Sequence, residues 1–151
     1  MGEPGGDVVE LKVRDVMTSE VHGISEESSL ATAIRAMASK GINSLIVWPV
    51  ERDEPYGILT SSDLVDAIAS GRDLEDTTVA GFRTTPIVLV TPGVRVKDAA
   101  QMMTRMNLRH LAVFNGKEIV GIVSNFDLVR AAAKDIRGFL LRERTPLVEA
   151  V

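Results

Sequence analysis

The chain has 151 residues, 45% of them hydrophobic and 25% charged, with a formal net charge of −4 at pH 7. That is the balance of a soluble globular protein of about one domain, and its sign argues against nucleic acid as a partner. No apolar run approaches the roughly 20 residues that cross a bilayer, the start is unlike a signal peptide, and the absence of cysteine excludes disulfides and thiolate chemistry. With no membrane or export signal, a cytoplasmic location is expected.

In chain order, residues 1–12 are Gly-rich and acidic and read as a flexible extension. A short extended segment at 21–24 leads into a helix over 29–40, with Leu30, Ala33, Ile34 and Met37 on one face. Ser28 or Ser29 supplies its N-cap and Gly41 ends it. The apolar, β-branched run 44–49 predicts a buried strand, followed by an acidic turn, a second strand at 56–60 and a helix at 62–70 closed by Gly71. A polar linker, 72–78, follows. The order then recurs: an extended segment at 87–90, a helix at 95–107, strands at 111–114 and 119–124 around Asn115-Gly116, and a helix from Phe126. Gly138 is the expected interruption of that last helix.

The recurrence is visible in the residues themselves. Gly57-Ile58-Leu59-Thr60-Ser61-Ser62-Asp63-Leu64-Val65 returns as Gly121-Ile122-Val123-Ser124-Asn125-Phe126-Asp127-Leu128-Val129. Upstream, Val13 falls on Val79, Thr18 on Thr84, Ile24 on Val90, Met37 on Met103 and Leu45 on Leu111 without a gap. Apolar matches apolar almost throughout, as in a duplicated unit that keeps its core pattern. Each copy, at roughly 55–65 residues, is marginal for burying a core alone, so the copies are expected to fold together.

Thr60 or Ser124 closes a strand and opens a helix, with an aspartate three residues on. Two chemistries fit that spacing. In a capping box the hydroxyl and the carboxylate satisfy the helix's own orphan amides. Alternatively, the helix terminus attracts a phosphate while the carboxylate accepts the vicinal hydroxyls of a ribose. The residues alone leave both open.

The β-α-β-β-α order, given twice, and the Gly-apolar-apolar-Thr/Ser-x-x-Asp phrase resemble the CBS domain, which occurs in tandem as a Bateman module. The resemblance covers nearly the whole chain, with repeats at 13–71 and 79–133 and a C-terminal helical extension at 134–151. It implies an α/β (α+β) fold in which the two repeats pack with pseudo-twofold symmetry. It also implies a regulatory, non-enzymatic module that binds an adenine nucleotide (AMP, ADP or ATP, with S-adenosylmethionine as an alternative) in the cleft between the repeats. The expected partners are a second copy in a homodimer and a target protein that the sequence does not reveal. A ligand-free interaction scaffold is the other reading.

Carried over by position, the resemblance assigns Thr18, His22, Asn43 and Ser44 to the site built on Ser124 and Asp127. To the site built on Thr60 and Asp63 it assigns Thr84, Val88, Arg109 and His110. The first repeat has Asn43 and Ser44 where the second has Arg109 and His110, so two equally strong phosphate sites are not expected. With only two histidines in the chain and no acidic cluster beside them, no metal site is expected. No nucleophile–base pair or carboxylate dyad suggests an enzyme.

Residues 13–78 carry five Arg and Lys against twelve Asp and Glu, whereas 79–133 carry seven against three. An acidic half and a basic half favour a head-to-tail association of copies. Beyond the repeats, Phe139, Leu140, Leu141, Leu147 and Val148 suggest a segment that packs over the repeats, across a dimer interface or against a partner.

Overall fold

In each repeat, one three-residue phrase of β-branched and apolar side chains is buried throughout: Leu45-Ile46-Val47 in the first and Leu111-Ala112-Val113 in the second. Burial of consecutive residues means that both faces of the strand are covered, which is the physical meaning of an apolar run without alternation. The computed structural model describes residues 11–134 and 136. The first repeat contains β1 (Gly23–Ser25), α2 (Leu30–Lys40), β2 (Ser44–Trp48), β3 (Gly57–Thr60) and α3 (Ser61–Ser70), and is preceded by the one-turn helix α1 (Val13–Val16). The second contains β4 (Leu89–Val90), α4 (Val96–Met106), β5 (His110–Phe114), β6 (Ile119–Ser124) and α5 (Asn125–Lys134), preceded by a 3-10 turn at Val79–Gly81.

Two three-stranded sheets result, ordered β1-β2-β3 and β4-β5-β6. In each, the first pair is parallel and the second antiparallel. The parallel pair is bridged by a helix, α2 or α4, as such a crossover requires. Helix ends follow the sequence closely. Ser29 accepts a hydrogen bond from the Thr32 N–H at the start of α2, and Gly41 and Gly71 end α2 and α3 in the left-handed region. The hairpin between β5 and β6 has the expected connection over residues 115–118. The Asn115 side chain accepts from the N–H groups of Lys117 and Glu118, so the turn is built on an Asx cap over four residues.

The compact units do not coincide with the repeats. One is Glu20–Val88; the other takes in the chain up to Ser19 and from Leu89 onward. Each repeat's leading segment therefore sits with the sheet of the other repeat. Thr18 forms an antiparallel bridge with Ile122, and Thr84 forms the matching one with Ile58. The unit Glu20–Val88 is held by a cluster that includes Leu30, Leu45, Val47, Leu59 and Val79, all buried. In the other unit, Val13, Val96, Ala99, Leu111, Val113 and Val123 are buried. Hydrophobic burial in each unit thus depends on a valine, Val79 or Val13, supplied from outside the contiguous sheet-and-helix block. Residues 137–151, which contain the apolar C-terminal group, lie outside the described residues.

Candidate functional site

The strand-to-helix junction of the first repeat is a complete capping box. Asp63 Oδ2 accepts from the Thr60 backbone N–H at 2.8 Å and from the Thr60 hydroxyl at 3.1 Å, and Thr60 Oγ1 accepts from the Asp63 N–H at 3.4 Å. The Ser61 N–H donates to the Asn43 carbonyl at 3.0 Å. The second repeat repeats this arrangement. Asp127 Oδ2 accepts from the Ser124 N–H at 2.8 Å, Ser124 Oγ accepts from the Asp127 N–H at 3.1 Å, and the Asn125 N–H reaches the Arg109 carbonyl at 2.9 Å.

These bonds change the chemistry expected of the junctions. The amides at the first and third helix positions are satisfied by the chain itself and are not offered to a phosphate. The second carboxylate oxygen of each junction is a further group that a ligand could use. On Asp63, Oδ1 has no partner among the described residues. On Asp127, buried to 6% exposure, Oδ1 accepts from Arg130 at 2.5 Å.

The strand register groups the other site residues within each unit. Ser44 pairs with Thr60 and Asn43 caps the helix that begins at Ser61, so both stand beside Asp63. Thr84, paired with Ile58, and Val88 belong to the same unit, as does His22, whose carbonyl accepts from the Ile46 N–H. The His22 ring lies 3.5 Å from the Glu20 carboxylate. In the other unit, His110 pairs with Ser124, Arg109 is exposed at the start of β5, and Thr18 pairs two residues before Ser124. The backbone bonds place Asn43 and Ser44 beside Asp63, and Arg109 and His110 beside Asp127, each within its own repeat. Thr84 is bridged to the strand that ends at Thr60, and Thr18 to the strand that ends at Ser124.

Among the described residues, no group of three His, Asp or Glu side chains stands close enough to hold a metal.

The family model of the CBS domain matches this chain twice, at residues 13–70 and 79–134. The chain belongs to the CBS domain family. It is 31% identical over 117 residues to a CBS domain-containing protein of Bacillus subtilis, covering 77% of this chain and 81% of the relative. A relative in Methanocaldococcus jannaschii is 27% identical over 125 residues, and there the chain spans 43% of the relative's length. Among solved structures, a hexameric CBS-CP12 protein from bloom-forming cyanobacteria matches with a TM-score of 0.74 and 32% identity, over 79% of this chain and 69% of that one. The tandem CBS fold, a mixed α/β architecture with one sheet per repeat, is thereby shown for this protein.

Two interactions had no reading in the sequence. Glu26, in the turn after β1, accepts from the Val50 N–H at 2.9 Å and from Arg83 at 2.8 Å. Arg83 also donates to the Ala80 carbonyl, so the 3-10 turn is fastened to the first sheet. The Val50 N–H foremost, and then Arg83, hold the Glu26 carboxyl below its ordinary pKa against the opposing effect of burial. The second is the Arg130 contact to Asp127, whose only trace in the sequence is an acid followed three residues later by a base.

Proposed function

We propose that this CBS pair is a regulatory, non-catalytic module that binds an adenine nucleotide and signals its occupancy to a partner protein. The observation that carries this reading is Asp63. Its Oδ2 is fixed by the capping box, so the carboxylate is held rigidly, while Oδ1 is left to accept a ligand hydroxyl. A carboxylate pre-oriented in this way suits vicinal ribose hydroxyls without paying again for side-chain order. A ligand that favours one arrangement of the module shifts its population toward that arrangement, which is sufficient for a regulatory output.

Isothermal titration with AMP, ADP, ATP and S-adenosylmethionine tests the reading. Saturable heat is expected with at least one phosphorylated ligand, and silence with all four would overturn the proposal. The capping boxes favour a second reading, a ligand-free interaction scaffold in which both aspartates serve only their helices. In that case Asp63→Ala would lower stability while no nucleotide bound to the unaltered protein.

A further inference from the structure

The two junctions share one capping scheme but present different carboxylates. Asp127 spends Oδ2 on the Ser124 amide and Oδ1 on Arg130, and is almost fully buried. Arg130 is itself held in place by the ring of Phe126, its guanidinium carbon 5.1 Å from the ring centroid. In the first repeat the positions equivalent to Phe126 and Arg130 are Ser62 and Asp66. They offer neither a ring platform nor a cation, and among the described residues Asp63 Oδ1 has no partner.

We infer that Arg130 is a latch on the second junction. By occupying the outer oxygen of Asp127 it closes that carboxylate to ligand hydroxyls, so the chain has one working ribose site, at Asp63. This inference rests on the nucleotide reading above and assigns the difference between the two repeats to one side chain. A ligand at Asp127 would first have to displace a charge-assisted hydrogen bond and the stacked guanidinium that makes it. The same three-residue spacing in the first repeat puts Asp66 beside Asp63, where it cannot donate.

The test is titration of the whole 151-residue chain with AMP and, separately, ATP. Four proteins are compared: the unaltered chain, Asp63→Asn, Arg130→Met, and Ser62→Phe with Asp66→Arg. The unaltered chain should bind one nucleotide, and Asp63→Asn, which keeps an acceptor for the cap, should weaken it at least about tenfold, the factor set by one lost hydrogen bond to a charged group. Arg130→Met, which has no donor to offer Asp127, should bring in a second site. The transplanted pair, Ser62→Phe with Asp66→Arg, should close the first junction and reduce binding to the level of Asp63→Asn. Two equal sites in the unaltered chain would overturn the latch, as would a single unchanged site in Arg130→Met. Nucleotide binding by none of the four proteins would overturn the nucleotide reading and the latch with it. Thermal melts confirm that each variant is folded.

Discussion

Gly57 lies directly under the backbone of Thr84. A Cβ at this position would stand 2.7 Å from the Thr84 carbonyl oxygen and 2.8 Å from Arg83 Cδ. The paired N–H and C=O groups of Ile58 and Thr84 hold that carbonyl in place at 2.8 and 2.9 Å, so the obstacle is fixed backbone. Gly121 occupies the matching place in the second repeat, but the nearest atoms to its added Cβ belong to the flexible Met17 side chain, with the Thr18 carbonyl at 3.1 Å. Gly57→Ala should therefore cost about 1–3 kcal/mol, as overpacking typically does, and Gly121→Ala less. Urea unfolding of the two variants checks the order. Equal costs would refute the distinction between fixed and yielding neighbours.

The helix caps make a second comparison. Replacing Asp63 by alanine removes a cap from a partly exposed junction and should cost about 0.5–2 kcal/mol. Asp127→Ala should cost more, because that carboxylate is buried and its loss also frees the Arg130 guanidinium from its partner. Denaturation midpoints of the two variants measure the difference. A milder effect at Asp127 would show that Arg130 is bound no more firmly than an ordinary surface ion pair.

Glu26 predicts an acid limb in the stability profile. Its carboxyl is held below the ordinary value of 4.5, first by the Val50 N–H and then by Arg83. A group whose folded pKa is depressed stabilises fully above its unfolded value, and that contribution is lost as pH falls through the folded value. The melting-temperature gap between the unaltered protein and Glu26→Gln should thus be largest above pH 4.5 and shrink as the solution is acidified below it. A gap that stayed constant into strong acid would remove Glu26 from the account.

Asn107 ends α4 with φ at 56°, while Gly41 ends α2 at the same place in the first repeat with φ at 65°. Glycine enters this left-handed region without steric cost, and asparagine does so at some expense. Asn107→Gly should raise stability by a few tenths of a kcal/mol up to about 1 kcal/mol, and Gly41→Ala should lower it by about 1 kcal/mol. Nothing lies within 4 Å of a Cβ at Gly41, so that loss would be purely conformational. Thermal melts of the two single variants decide the signs, and opposite signs to these would discard the backbone explanation.

Much of the architecture was legible before any coordinates, because it rests on local chemistry. Apolar spacing marked Leu30, Ala33 and Met37 as the buried face of α2, and Ser29, Gly41 and Gly71 marked helix ends through their own caps and backbone freedom. The duplicated phrase located both junctions, and the spacing of Thr60 and Asp63 already allowed the capping box that forms there. Such features involve residues within one or two turns of each other, so a linear pattern is enough to express them.

The pairing of distant segments was decided only by the tertiary structure. Residue order alone gave no sign that Thr84 would turn back onto Ile58 and Thr18 onto Ile122, separating the compact units from the repeats. Nor did it reveal the clamp of Glu26 on Val50 and Arg83, or show that α1 would form. Bridges across tens of residues depend on loop closure and on which buried faces are available, and no periodicity encodes either. The same limit applies to the two aspartates. Both carry the same hydroxyl-x-x-Asp spacing, and although Ser62 and Asp66 stand where the second repeat has Phe126 and Arg130, only the structure shows the Arg130 guanidinium, set against the Phe126 ring, engaging the second oxygen of Asp127.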